Sequence, residues 1–359
     1  MMFSKLKLRQ CQRMLVFIRR SNTSYTSRNI LKLIDRGVLK DVTNSVSIPE
    51  LSNRLQGPMT VYSGFDPTAD SLHIGNLLVI IALLHCQRGG HKPICLLGGA
   101  TAMIGDPSGK SEERKRLETG VVESNLKSIT ESVQRIFHNH QKYMWNSEKP
   151  LQDLLILNNM DWYGNKTLIE FLSIVGRHFR MSDMLAKESV KSRLASMEGM
   201  NFTEFTYQMF QAYDWLHLLL QHNCELQIGG NDQTGNMRAG HELIRKVKSD
   251  KAWGLTVPLL TDPGGEKFGK SAGYAGYAVW LNADKTSPYE LYQISPSSGY
   301  ADGVAIFNQG GVYINQQRVT DPDYVLLQGQ HILPNNLTLI RIGQYETVIL
   351  TYIYIDSTI

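Results

Sequence analysis

The feature that most constrains this chain is a repeated order of short apolar strand, glycine-rich loop and apolar helix, beginning near residue 59. Met59 to Tyr62 reads as a strand, and Tyr62 to Asn76 (Y-S-G-F-D-P-T-A-D-S-L-H-I-G-N) as a loop punctuated by Gly64, Pro67 and Gly75. Leu77 to Gln87 then reads as a helix closed by Gly89-Gly90. His91 to Leu97 supplies a second buried strand, and G-G-A-T-A-M-I-G-D-P-S-G-K-S from Gly98 to Ser111 is its exit. Strand, helix, strand with glycine at the strand ends predicts a parallel α/β sheet with ligands at its carboxyl edge. His73, Ile74, Gly75 and Asn76 fall where loop becomes helix, so backbone N–H groups and the positive end of the dipole are expected to serve a phosphate there.

Further along, two patterns invite chemistry and two do not. Asn201 to Gln221 predicts a long apolar helix with Thr203 as N-cap. Tyr207, Gln211 and Asp214 fall at i, i+4 and i+7 and so share one face of it. Spacing alone leaves two readings open, a stripe facing solvent or a buried polar triad, which would need partners. Cys224 to Asn236 (C-E-L-Q-I-G-G-N-D-Q-T-G-N) is again a strand ending in glycines at a helix start, and Thr256 to Leu260 is a further buried strand. By contrast, Gly109-Lys110-Ser111 ends like a P-loop, but Gly105 to Gly109 leaves three intervening residues where four are needed. Residues 121 to 200 read as helical, and His138 and His140 within them read as surface histidines, since no acid or cysteine accompanies them.

Composition enters mainly by exclusion. A chain of 359 residues with 42% hydrophobic and 19% charged residues predicts a packed core and two domains. The net charge of +4 permits a nucleic-acid partner without demanding one. Cys11, Cys86, Cys95 and Cys224 form no C-x-x-C pair, which argues against a disulfide framework or a structural zinc. Residues 1–34 carry Lys5, Lys7, Arg9, Arg13, Arg19, Arg20, Arg28 and Lys32 and no acid, the composition of a mitochondrial transit peptide or of a disordered basic N-terminus. Apolar runs are too short for a membrane span.

The stretch from Tyr62 through Asp66-Pro67-Thr68 to His73-Ile74-Gly75-Asn76 resembles the HIGH signature of class I aminoacyl-tRNA synthetases, in the spelling of the tyrosyl-tRNA synthetases. Asn76 stands where His is usual, and its amide can still donate. Lys267-Phe268-Gly269-Lys270-Ser271 resembles the second signature, KMSKS. The resemblance implies a Rossmann-like catalytic domain over 35–293. It implies L-tyrosine contacts from Tyr62, Asp106, Tyr207, Gln211, Asp214, Gln227 and Gln233, with Asp214 and Tyr62 on the phenolic hydroxyl and Asp106, Tyr207 and Gln211 on the ammonium group. ATP is implied to meet Asp66, Gly75, Asn76, Gly230, Asp232, Leu260 and Lys270, with Thr68, His73, Lys267 and Lys270 acting on the phosphates. Lys110, Arg114, Lys115 and Arg116 read as near ATP or the tRNA end, or as a solvated face, the latter favoured for Lys115 and Arg116. Two departures stand out: Thr234 where Trp is frequent, and A-G-Y-A-G-Y-A-V-W-L after Ser271, three residues longer than the family's run.

After Lys285 to Gln293 the resemblance breaks. The family's helical anticodon-binding domain is missing, residues 294–309 form a junction, and 310–359 resembles part of an S4-like RNA-binding domain. The implied activity is tyrosine–tRNA ligation in the mitochondrial matrix, with Mg²⁺ accompanying ATP, no protein metal site, tRNA(Tyr) as partner, and a homodimer formed through the helices around 150–200. Other readings of the same residues are another nucleotidyltransferase, a tryptophanyl enzyme, or a synthetase-derived RNA-binding protein or half-reaction fragment that does not charge tRNA.

Overall fold

The computed structural model describes residues 28–35, 37–43, 48–108, 116–145, 147–248, 251–259 and 279–286, with the backbone of four strands between 312 and 351. Contacts divide the chain into two units, Met1–Asp70 with Leu78–Pro258, and Ser71–Leu77 with Leu259–Ile359.

The first unit is built on a six-stranded sheet of β1 (Asp41–Val42), β2 (Thr60–Phe65), β3 (Lys92–Leu97), β4 (Leu155–Asn158), β5 (Cys224–Gly230) and β6 (Trp253–Val257) in the order β1-β6-β5-β2-β3-β4. All neighbours run parallel except the short edge pair β1 and β6. Such a sheet needs crossovers, and the long helices supply them: α1 (Ile74–Arg88) between β2 and β3, α2 (Thr119–Asn139) between β3 and β4, α3 (Phe202–His222) before β5, and α4 (Thr234–Lys248) between β5 and β6. Strands covered on both faces should be apolar throughout, and β3 and β6 bury nearly every residue. The strand order reverses at β2, with β3 on one side and β5 on the other. Their carboxyl ends therefore part at this point, where an open α/β sheet admits ligands.

Expectation and structure differ in several places. Residues 121–200 are not all helix, because Leu155–Asn158 is the sheet's edge strand. An apolar run this short has no period to separate strand from helix, and pairing with β3 decides. β6 starts three residues before Thr256 and ends at Val257. The N-cap of α3 is Asn201, whose side chain accepts from the Glu204 N–H at 2.9 Å, and Thr203 lies inside the helix. His138 is exposed as expected, but His140 is only 3% exposed and is part of the core. Cys86, Cys95 and Cys224 are buried free thiols.

In the second unit, β7 (Val312–Ile314), β8 (Gln317–Val319), β9 (Leu337–Ile342) and β10 (Glu346–Thr351) form an antiparallel sheet in the order β10-β9-β7-β8. The loop before α1 pairs with the same unit, through a bridge between His73 and Trp280 and a bond from the Leu281 N–H to the Leu72 carbonyl.

Candidate functional site

At the carboxyl end of β2, the first unit gathers polar side chains that the surrounding core would otherwise exclude. Asp214 projects from α3 and is 3% exposed. Its Oδ2 accepts from Asn159 Nδ2 at 3.0 Å and its Oδ1 from the Trp162 indole N–H at 2.9 Å. Burial pushes the carboxyl up to about 7, against the pull of these donors. Tyr62, on β2 and 1% exposed, has no hydrogen-bond partner for its hydroxyl. Burial and then the charge of Asp214 push that hydroxyl well up, so the phenol stays protonated. A buried hydroxyl left bare beside a carboxylate suits a second hydroxyl arriving from outside.

A second cluster lies along the same network. Asp66, just past β2, accepts from the Thr101 hydroxyl at 2.7 Å and the Tyr207 hydroxyl at 2.8 Å. Asn159 joins the two clusters, since its Nδ2 also reaches Thr101 Oγ1 at 3.0 Å while its Oδ1 accepts from the Ala100 N–H at 2.8 Å. Glycine at 98 is what allows this. A Cβ there would stand 2.0 Å from Asp66 Oδ1 and 2.2 Å from Thr101 Oγ1. Asp106 is held by the Ser108 N–H at 2.9 Å, Gln233 Nε2 at 2.8 Å and Asn236 Nδ2 at 3.3 Å. Burial and then the charge of Asp232 push its carboxyl up, while the hydrogen bonds from Ser108 and Gln233 pull it down. Tyr207 is pushed well up by burial and then by Asp66, Asp106 and Asp214, so three carboxylates act on one hydroxyl. Gln211 carries a buried Oε1 with no hydrogen-bond partner. The carboxylates around Tyr207 form an environment for a cation with N–H donors.

The polar face of α3 therefore points inward, with Tyr207 and Asp214 buried and Gln211 half-buried. Gln227 is buried on β5 in direct register with Tyr62. Gly230 ends that strand, and Asp232 and Gln233 form the 3₁₀ turn that follows. Thr68 is half-buried, and its N–H closes a tight turn onto the Asp66 carbonyl at 2.8 Å. Buried Asn125 on α2 donates to the Pro67 carbonyl at 2.9 Å, which fixes the same loop.

In the second unit, the start of α1 is not the open row of N–H donors expected from its sequence. The Gly75 N–H donates to His73 Nδ1 at 3.1 Å and the His73 N–H to Asn76 Oδ1 at 3.0 Å, a reciprocal cap. Ile74 and Asn76 N–H groups go to the Val279 and His73 carbonyls. Helix ends satisfy their donors locally where side chains allow it, and these do. The acceptor role of Nδ1 puts the imidazole proton on Nε2.

Leu260, Lys267 and Lys270 lie outside the described residues, as do Lys110, Arg114, Lys115, the insertion after Ser271, most of residues 1–34 and the 294–309 junction. Arg116 is exposed. Sequence reasoning missed Thr101, Asn159, Trp162 and Asn236. The one signal available was Asn158-Asn159 behind the apolar run Leu154 to Leu157, amides at a strand's carboxyl end. Among the described residues no helix is long and apolar enough to cross a membrane, and no group of His, Cys, Asp or Glu has the arrangement of a metal site.

The sequence profile of the family "tRNA synthetases class I (W and Y)" matches residues 53–316. The mitochondrial tyrosine–tRNA ligase of Drosophila melanogaster is 53% identical over 281 residues, 77% of this chain and 60% of the relative. The chain thus spans less than two thirds of that relative's length. The mitochondrial tyrosine–tRNA ligase of Homo sapiens is 34% identical over an alignment of 435 positions, covering 89% of this chain and 90% of the relative. Among solved structures, a C-terminally truncated mitochondrial tyrosyl-tRNA synthetase of Aspergillus nidulans superposes with a TM-score of 0.65 at 28% identity, over 85% of this chain and 84% of that one. With its family match running through most of its length and a mostly parallel sheet beneath it, the chain belongs to the class I tRNA synthetases, in their tyrosyl branch.

Proposed function

We propose that this chain activates L-tyrosine with ATP and passes the tyrosyl group to the 3′ end of tRNA(Tyr). The observation that carries the reading is the bare Tyr62 hydroxyl beside buried Asp214. A phenol entering there donates to the Asp214 carboxylate and completes the Tyr62 hydroxyl. Phenylalanine would leave both unpaired, and an unpaired buried polar group is costly. The ammonium group of the substrate goes to Asp106, the Tyr207 hydroxyl oxygen and Gln211 Oε1, with Asp66 behind Tyr207. Gln233 acts through Asp106, to which its amide donates, and Gln227 lines the pocket beside Tyr62. Asp232 and Gly230 take the ATP ribose, and Gly75, Asn76 and Leu260 complete the nucleotide contacts.

In the first step the tyrosine carboxylate attacks the α-phosphorus, the bond to the bridging oxygen breaks, and pyrophosphate leaves. No protein base is required, because the nucleophile is already ionised. The protein's part is orientation and charge stabilisation. Thr68 and the Nε2–H of His73 are assigned to the γ-phosphate, and Lys267 and Lys270 to the departing pyrophosphate. Mg²⁺ enters with ATP as part of the substrate. In the second step the terminal ribose hydroxyl of tRNA attacks the tyrosyl carbonyl and AMP leaves.

Leu168, Ile169, Leu172, Ile174, Met181 and Leu185 expose between 40% and 75% of their surface over a short stretch of chain. Exposed apolar residues concentrated in this way suit an interface, and we assign them to a homodimer. The relatives' mitochondrial names and the acid-free N-terminus support a mitochondrial matrix location. A second reading, adenylate formation without tRNA charging, is favoured by one observation. The human alignment is longer than this chain, so it opens gaps in this chain, in keeping with a missing anticodon-binding domain.

The test is tyrosine-dependent ATP–pyrophosphate exchange beside tRNA charging, on the chain and on Asp214→Ala. Exchange with tyrosine and not with phenylalanine or tryptophan, lost in the variant, is expected. Unchanged tyrosine-dependent turnover in Asp214→Ala would refute the pocket assignment, and exchange without charging would select the second reading.

A further inference from the structure

Trp162 supplies a side-chain donor to Asp214 and packs against the core from a short segment. It sits on the four-residue helix Met160–Tyr163 and is half-buried. One helical turn cannot fix a large side chain by its own hydrogen bonds. α3 holds it on two sides. The His217 imidazole lies over the indole with ring centroids 4.2 Å apart and planes inclined by 20°. Asp214 and His217 are three residues apart on α3 and so stand on one face, where they bracket Trp162. One accepts its N–H at 2.9 Å, and the other covers its ring.

We propose that His217 is a positioning residue of tyrosine recognition, which by stacking on Trp162 keeps the indole N–H on Asp214 and so keeps that carboxylate aimed at the phenol. The inference rests on the reading of the pocket as a tyrosine site. Groups facing the imidazole are Lys166 and His222, which act through their charge, and the Tyr213 ring, 6.2 Å away. Burial, then His222 and Lys166, hold its pKa below the ordinary histidine value, so the ring is neutral at pH 7 and above. The stack is then constant from pH 7 upward.

The experiment compares the full chain with His217→Ala and His217→Phe. Tyrosine binding is measured by calorimetry, and KM for tyrosine, KM for ATP and kcat by pyrophosphate exchange, from pH 6 to 9. A stacked aromatic pair lost next to the site predicts a roughly three- to tenfold weaker tyrosine affinity in His217→Ala at pH 7, with KM for ATP and kcat little changed. The pH midpoint of the tyrosine KM moves upward in this variant, because the carboxylate has lost a donor. His217→Phe keeps a ring over Trp162 and returns both values toward the parent. Parent-like tyrosine KM and midpoint in His217→Ala would overturn the proposal, as would equal losses in tyrosine KM, ATP KM and kcat, or a His217→Phe no better than His217→Ala. Should the unaltered chain bind no tyrosine in the calorimeter, the tyrosine-site reading itself fails and the proposal with it.

Discussion

Replacing Asn159 with leucine tests the network at the residue that joins its two halves. Asn159 is 0% exposed and makes three contacts, to Asp214 Oδ2, Thr101 Oγ1 and the Ala100 N–H. Leucine fills a similar volume and makes none of them. A hydrogen bond to a charged oxygen contributes about 1.5–3 kcal/mol, and about 1.4 kcal/mol corresponds to one pH unit, so Asp214 should titrate about one to two pH units higher in the variant. In the parent it titrates at about 7. At pH 7.5 the ionised fraction then drops from about three quarters to about a quarter or less. KM for tyrosine should rise at least about threefold at pH 7.5 and recover as pH approaches 9, with kcat changed less. The orphaned Ala100 N–H costs a further ~1–3 kcal/mol of folding stability, visible as a lower melting temperature. A tyrosine KM profile with the parent's midpoint would refute the reasoning, and so would a raised KM that stays raised at high pH.

Gly98→Ala sets a Cβ at 2.0 Å from Asp66 Oδ1, so the Asp66 carboxylate must leave its place. Exchange activity should fall by about two orders of magnitude or more, in the range of a misplaced catalytic group, while circular dichroism shows the chain still folded. His140 is buried, and burial, then the charges of Arg88 and His85, lower its pKa to about 4. Because the unfolded chain takes up that proton near the ordinary 6.5 and the folded one does not, stability from this residue is full above about pH 6.5 and is lost as pH falls toward 4, by ~3 kcal/mol. His140→Leu should therefore lose less stability than the parent between pH 7.5 and 4.5 in urea titrations, and parallel losses would contradict this. Ile169→Asp, in the exposed apolar stretch, should shift the sedimenting species from dimer to monomer, and a dimer of unchanged affinity would remove that face as the interface.

Part of the polar cluster was legible because its residues lie close to motifs with local causes. Tyr62, Asp66 and Thr68 are read from one loop, and Asp214 with Tyr207 from one helix face. The inward direction of that face was not legible from spacing. It depends on Asn159 and Trp162, which come from another part of the chain. The start of α1 was misjudged for a related reason. A helix N-terminus offers donors in principle, but whether His73 and Asn76 turn back to satisfy them is a matter of side-chain geometry. His140 reads as a surface residue by its neighbours in sequence and is a core residue by its packing.

What the sequence determined by itself was whatever short-range physics fixes. That comprises the alternation of apolar strand, glycine turn and helix, hence a parallel sheet, and the residue types at its carboxyl edge. Only the tertiary structure decided that Leu155–Asn158 is a strand, which carboxylate each donor serves, and that the Tyr62 hydroxyl and Gln211 Oε1 are left bare. The reason is that hydrogen bonds between side chains far apart in sequence, such as Tyr207 to Asp66 or Asn236 to Asp106, leave no periodic trace in the chain and exist only once the sheet has brought its strand ends together.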